Sequence, residues 1–406
     1  MIAAAESIAI TGWAWRTPLG AGVEATLPRL WAGERAASPI TRFDAETFPC
    51  RIACAIASGG ELPATREQRF LRRMGRFAQE VAREALAHGG CAAAGDRLGL
   101  FFGYGGLRAH WDDMMPALAR QTLPGDIDAT AGGAQLWERG LKLLHPFWML
   151  QHLSNNAHAL TAAELGARGD GLTLAGANAG AEALAAAAAA LEVGAVDAAL
   201  VVAYDTLLEP ETLVELATRG GFTGSGPPPA PYDRAAAGFV PGEAAAAVLL
   251  ERRSEAGSRA LALVDAWAAA DGAAAHPDGA TLERLLAALP AGKIGVVDGA
   301  AQALPARDAD ERTVLAARAD LVSIETPICA TLAAMGQLGA AAAVVQAIAL
   351  AASLRAGRLA PVAGLDQPSP GPLRPLRAAI SCAERVGLAL STGAPGLAGL
   401  VRVALP

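Results

Sequence analysis

Two stretches of this chain read alike. Arg97-Leu-Gly-Leu-Phe-Phe-Gly and Lys293-Ile-Gly-Val-Val-Asp-Gly are both apolar runs that close on glycine, and an Ala-rich helical stretch after Asn178 has a counterpart after Gly339. One supersecondary unit written twice constrains the fold more than any composition figure. The economical reading is a duplicated protein with its break near residue 250, giving halves at 1–250 and 251–406.

Local patterning supplies the unit. Residues 7–12 (SIAITG) form a β-branched run ended by glycine, and residues 22–32 follow with helical spacing. Residues 67–88 place Phe70, Met74, Phe77, Val81 and Ala85 on one helical face, stopped by Gly89-Gly90. Buried-type strands are expected at 97–102, 172–175, 198–203, 242–251, 261–266 and 294–297. Helices are expected at 178–193, 281–289, 311–317 and 335–354, so strands alternate with helices and the class is α/β. The Pro/Gly-dense stretch 221–231 reads as a surface loop.

Composition excludes several function classes. Of the 406 residues 53% are hydrophobic, but the richest runs, 181–193 and 340–352, are dominated by alanine, so no membrane span is expected. The net charge of −7 argues against a nucleic-acid partner, which calls for a concentrated basic field. Five cysteines form no CxxC pair and the start lacks a basic region ahead of an apolar core, which fits a reducing cytoplasm. Six histidines show no HExxH and no Cys/His cluster, so neither a metal nor a cofactor is expected.

Longer strings carry a resemblance. Pro231-Tyr-Asp-Arg-Ala-Ala-Ala-Gly-Phe-Val-Pro-Gly-Glu-Ala is similar to the segment F/Y-D…R-x-G-F-V-x-G-E-G of the β-ketoacyl-acyl carrier protein synthases, the ketosynthases. The opening ITGWAWRTPLG, Phe43-Asp44 and Arg73-Met-Gly-Arg-Phe follow in the family's order, so the resemblance covers essentially the whole chain. Residues 144–156 (LHPFWMLQHLSNN) resemble a P-x-W-x-x-x-x-L-x-N segment of stand-alone ketosynthase-like proteins of bacterial polyketide and polyene pathways. The resemblance implies the thiolase fold, two similar α/β halves in an α-β-α-β-α sandwich, normally as a dimer.

It also implies where catalytic residues belong. The family holds its acyl chain on a cysteine in a T-A-C-x-S-G turn; here Ala175-Gly-Ala-Asn-Ala-Gly180 puts Ala177 at the cysteine, with Asn178 beside it as a pocket residue. The first family histidine, in N-x-H-x-T-x-T-P-x-x-D-x-x-E, falls on Ala300, with Pro305, Asp308 and Glu311 holding the register. In K-x-x-x-G-H-x-x-G-x-x-G-A the lysine falls on Ile328 and the second histidine on Ala333. The phenylalanine gate of the C-terminal G-F-G-G-T-N loop falls on Ala394. A nucleophile or general base contributes roughly two to four orders of magnitude, so no catalytic residue for condensation is assigned.

Other chemistry-bearing residues have blander readings. Cys329 is either a displaced nucleophile or a small hydrophobe. Phe102-Gly-Tyr-Gly-Gly lacks the pattern of a phosphate cradle. His152 and His158 read as hydrogen-bonded or partner-facing, and Arg66, Arg69, Arg72, Arg73 and Arg76 as a solvated basic face or a landing site for an acidic carrier protein. Trp111, Trp137 and Trp148 suit a tunnel, an interface or the core.

Among ketosynthases the chain thus resembles the inactive partner, the chain length factor. That resemblance implies a heterodimer with an active ketosynthase, an acyl tunnel shaped at the interface, and an acyl carrier protein delivering the chain, in type II polyketide or aryl polyene synthesis. The alternative is a repurposed thiolase-fold enzyme doing non-condensing acyl-thioester chemistry. A third reading, a homodimeric binding protein, requires an open apolar pocket at Ala177, Ala300 and Ala333.

Overall fold

The computed structural model describes residues 7–57, 68–106, 114–116, 140–153, 155–219, 221, 230–270, 279–394 and 397–406. Most of the described strands join one sheet. Its long members are β1 (Ile8–Thr17), β2 (Leu98–Tyr104), β3 (Gly171–Ala175), β4 (Ala198–Thr206), β5 (Glu243–Arg252), β6 (Ala262–Ala270), β7 (Val296–Asp298), β8 (Pro327–Cys329), β9 (Val386–Ala394) and β10 (Leu397–Ala404). The helices that matter below are α1 (Val23–Trp31), α2 (Arg73–Gly89), α3 (Ala179–Glu192), α4 (Gly279–Ala288), α5 (Pro305–Ala317), α6 (Thr331–Met335) and α7 (Ala342–Ala356).

Strand order displays the repeat. The N-terminal set runs β3-β2-β4-β5-β1 and the C-terminal set β8-β7-β9-β10-β6. In both, the first two pairings are parallel and the next two antiparallel. The two sets meet where β1 pairs antiparallel with β6, Ile8 facing Val264 and Ile10 facing Ala262.

Alternation along the strands sorts side chains between two cores, because successive residues point to opposite faces. Leu98, Leu100 and Phe102 of β2, with Leu200 and Val202 of β4, pack against Met74, Phe77 and Val81 of α2. Phe101, Ala199 and Val201 face the other way, into the core that holds Leu184, Ala187 and Leu191 of α3. A one-residue slip would exchange both sets, so burial on two faces fixes the register.

Helices α3 and α7 form the middle layer. Helix α3 lies on β2 and β4 of its own half and on β6 of the other, α7 lies on β9, β10 and β5, and the two helices touch. Helix α2 covers the outer face of the first set and α4 the outer face of the second, which completes α-β-α-β-α. Alanine and glycine dominate the middle because backbones meet there: a Cβ on Gly103 would stand 2.5 Å from the carbonyl carbon of Ala179, and Gly180 packs directly on Ala340 O. The stretch Gly339–Ala356 is long and apolar enough to cross a membrane by composition, yet 89% of it is buried as this core helix.

Three expected elements differ. The helix expected at 335–354 is broken: α6 ends at Met335, Gly336 (φ 76°) and Gly339 (φ 52°) turn the chain, and Gln337 bridges to Pro241 before α7 begins. Gly339 is required there because Asp205 occupies the space a side chain would need. Helix α2 starts at Arg73, after a separate 3-10 turn at Gln68–Phe70. Helix α5 starts at Pro305, six residues earlier than the apolar spacing shows, since proline is preorganised for the first helical turn. The loop at 222–229 lies outside the described residues.

Candidate functional site

Parallel strands end where open α/β sheets gather ligands and chemistry. Ala177 lies just past the end of β3, Ala300 just past β7, and Ala333 one short turn past β8. Hydrogen bonds tie the loops at these ends to the middle layer and the second set of strands. Asn178 Nδ2 donates to Ala398 O at 3.1 Å, Gln346 Nε2 donates to Gly299 O at 3.1 Å and to Leu390 O at 2.9 Å, and Ala340 N donates to Asp205 Oδ2 at 3.0 Å.

Ala177 sits half-buried in the turn that opens α3, after Gly176 at φ 134° and before the N-cap residue Asn178. A thiol there would lie at the positive end of a helix dipole, but the residue offers only a methyl group. Ala300 is buried, its N–H donating to Glu311 Oε2 at 3.2 Å and its carbonyl accepting from Gln337 Nε2 at 2.9 Å. Ala333, on α6, borders a cavity of about 10 Å³ shared with Arg35, Cys54, Ala301 and Ala303, room for a single water. Ile328 is fully buried in β8, paired with Val297, where a lysine would have to bury its charge. Ala394 ends β9 opposite Leu397; its side chain lies outside the described residues.

The acidic residues of the histidine motif are intact. Glu311 Oε1 accepts the Tyr232 hydroxyl at 2.8 Å and Asp308 Oδ2 accepts Tyr232 N at 2.8 Å. Asp298 accepts both Thr331 N and the Thr331 hydroxyl, at 2.8 and 2.7 Å. Burial pushes Asp298 and Asp308 up to about 6, and burial together with the Asp308 charge pushes Glu311 up to about 8. Among the described residues four non-glycine residues adopt left-handed backbone, Tyr232, Ala301, Ala303 and Leu373, and all belong to this neighbourhood: Arg312, beside Glu311, donates to Leu373 O at 3.2 Å. These side chains hold the loop around Ala300; in the sequence they served only as register marks.

Cys329 is placed as a small buried side chain in β8, its Sγ 3.5 Å from Val297 O, and burial holds its thiol well above the ordinary range. Cys54, in the small cavity near Ala333, is pushed by burial up to about 12.

The arginine stretch is only partly a solvated face: Arg69 is exposed, whereas Arg72, Arg73 and Arg76 are partly buried. Arg73 donates to Glu243 Oε1 at 2.8 Å and Arg69 lies 4.6 Å from the centre of the Phe70 ring, while Arg72 is partly buried; Arg66 lies outside the described residues. Glu243, fully buried, also accepts from Arg42, Ile56 N and Thr206, so the G-F-V-P-G-E segment anchors a buried ionic cluster. His152 shares its Nδ1 proton with Trp148 O at 2.7 Å, and His158 stacks on Phe102 and reaches the Thr173 hydroxyl at 2.8 Å, so the two do not act as a pair. Trp148 packs against His152 with the ring planes tilted by 37°; Trp111 and Trp137 lie outside the described residues.

Residues 5–256 match the N-terminal domain of the β-ketoacyl synthases, and the chain belongs to that family. It is 29% identical over 277 residues to 3-oxoacyl-[acyl-carrier-protein] synthase 2 of Rhizobium meliloti (strain 1021), covering 62% of this chain and 60% of that protein. It is 28% identical over 279 residues to an oxytetracycline polyketide putative beta-ketoacyl synthase 1 of Streptomyces rimosus, covering 65% and 62%. The matches thus span about three fifths of these relatives' length. Among solved structures, the ishigamide ketosynthase/chain length factor superposes with a TM-score of 0.82 at 20% identity, covering 99% of this chain and 100% of that one. A type II PKS acyl-carrier protein in complex with its ketosynthase bound to the hexaketide gives 0.83 at 18% identity, covering 99% and 100%. The fold is the thiolase fold.

Proposed function

We propose that this chain is a non-catalytic chain-length-factor-like subunit. It pairs with an active ketosynthase and shapes the tunnel for an acyl chain carried by acyl carrier protein, in type II polyketide or aryl polyene synthesis in the cytoplasm. The observation that carries this reading is the chemistry left at the three strand ends: Ala177, Ala300 and Ala333, with buried Cys54 and Cys329 held as thiols. A condensing enzyme needs a nucleophile and groups that move protons at those places. A repurposed thioester enzyme would need at least one of them. The space beside Ala333 holds no more than one water, which disfavours a binding protein built on an emptied pocket there. The halves, 1–250 and 251–406, are taken as the two arms of one duplicated domain.

A partner surface supports the pairing. Strand β3 forms the outer end of the sheet and presents Leu172 at 47% exposure. Nearby in sequence, Leu141, Leu143, Met149, Leu150 and Leu153 are all exposed. Among the described residues β3 has no strand on its outer side, and a strand edge with exposed apolar side chains is what a stable partner covers. Co-expression with an active ketosynthase from the same organism, with only this chain tagged, tests the reading: a one-to-one complex is expected, and a lone homodimer overturns it.

A further inference from the structure

A second cavity, of about 90 Å³, opens at the carboxyl ends of parallel strands β2 and β4. Tyr104, Tyr204 and Asp205 line it from the strand ends, Arg72, Gln151 and His152 add polar groups, and Leu71, Met74 and Leu153 add apolar ones. Asp205, which also accepts Ala340 N, links it to the region that holds Ala177, Ala300 and Ala333. A cavity with a few convergent polar groups on a largely apolar lining is the ordinary form of a small-molecule site.

Charge decides the class of ligand. Asp205 is committed inward: its carboxylate accepts Thr206 N at 2.8 Å and Ala340 N at 3.0 Å, and it lies pressed against Gly105. His152 gives its Nδ1 proton to Trp148 O, and burial and the neighbouring Arg72 charge lower its pKa, which favours the neutral ring. The Tyr104 and Tyr204 rings stack with centroids 6.0 Å apart, and burial raises the Tyr204 phenol, which stays protonated as a donor. Arg72 carries the one permanent positive charge on the lining, at a cost set by its burial and relieved in part by the Glu209 charge.

We propose that this cavity binds a small monocarboxylate, with its head on Arg72 and the tyrosine hydroxyls and its short body against Leu71, Met74 and Leu153. A guanidinium fork matches a planar carboxylate. One guanidinium beside a neutral imidazole suits a single negative charge and not a phosphate dianion. The volume admits a group of only a few heavy atoms, so the ligand is the size of butyrate or benzoate. The bound anion favours the imidazolium of His152 over the neutral ring. Leu153 also belongs to the apolar set proposed to meet the partner, so the titration uses the chain without a ketosynthase.

The test is calorimetric titration of the full-length chain with butyrate and benzoate, against butyramide and inorganic phosphate as controls. Both carboxylates are expected to bind, butyramide and phosphate not. Arg72→Met is expected to weaken binding roughly 10- to 100-fold, as removal of a charge-assisted hydrogen bond does, while Arg72→Lys retains part of it. Tyr104→Phe, which keeps the ring, is expected to weaken binding less. Histidine resonances followed by NMR are expected to show the His152 pKa rising when butyrate is added. Equal binding of butyramide, preference for phosphate, or carboxylate binding unchanged in both Arg72→Met and Tyr104→Phe would overturn the assignment.

Discussion

The Tyr232 hydroxyl donates to Glu311 Oε1 at 2.8 Å, and the other oxygen of the same carboxyl receives the N–H of Ala300 at 3.2 Å. One buried acid thus ties the Pro231-Tyr232-Asp233 segment to the loop where the family resemblance places a histidine. The acid's partners are structural, which explains why Asp308 and Glu311 stand in a chain whose matching histidine position is alanine. Backbone in the left-handed region at Tyr232, Ala301 and Ala303 costs of order 1–3 kcal/mol per residue and is held by these bonds.

Stability is expected to fall as pH rises. Glu311 and Asp308 are pushed up to about 8 and about 6, above their unfolded values near 4. The folded protein therefore binds more protons than the unfolded chain between those limits. Their contribution is complete below about pH 4 and is lost as pH passes through 6 and 8. Urea midpoints measured from pH 5 to 9 should decline, and Glu311→Gln should flatten the alkaline part of the curve. A midpoint that rises steadily to pH 9 contradicts this.

Arg73 and Glu243 form a pair whose loss is costly. Glu243 is fully buried and keeps Arg42 at 3.1 Å when Arg73 is removed, so Arg73→Met should destabilise by about 2–4 kcal/mol, near the low end for a broken buried pair. An exposed basic residue would give less than about 0.5 kcal/mol. Chemical denaturation of the single variant distinguishes the two.

Close packing at the middle layer predicts intolerance at Gly103. A Cβ there would stand 2.5 Å from main-chain atoms of Ala179, which cannot give way without moving α3. Gly103→Ala should cost about 1–3 kcal/mol, whereas Gly90→Ala, facing open space, should cost only the strain of its left-handed backbone. Comparable losses at both sites would show that α3 shifts freely.

A thiol placed at residue 177 should be reactive without supporting condensation. In Ala177→Cys the new thiol sits half-exposed at the start of α3, and iodoacetamide should modify it with an apparent pKa below the ordinary 8.5. With Ala300 and Ala333 unchanged, malonyl-acyl carrier protein should give no condensation product by mass spectrometry. Product formation by the single variant would show that another group supplies the missing proton transfers.

Much of this architecture is legible in the sequence because strands buried on both faces leave continuous apolar runs, as at 198–203, and because the paired motifs around Gly99 and Gly295 expose the repeat. The break between α6 and α7 was hidden, since Gly336 and Gly339 sit in an alanine-rich run whose periodicity looks unbroken; only the distant Asp205 explains the second glycine. Likewise Arg73 reads as a surface charge until Glu243, far away in sequence, is placed beside it. The strand-end positions could be named from motif spacing, whereas the Arg72 and Tyr104 cavity joins segments that share no motif and is visible only in three dimensions.

The central claim is that this chain works as the silent half of a pair. Size-exclusion chromatography with light scattering, on this chain tagged and co-expressed with an active ketosynthase from the same organism, measures it directly. A one-to-one complex that Leu172→Glu at the β3 edge weakens is the predicted result. A stable homodimer of this chain that excludes the ketosynthase, or a complex indifferent to the β3 edge, would contradict the account.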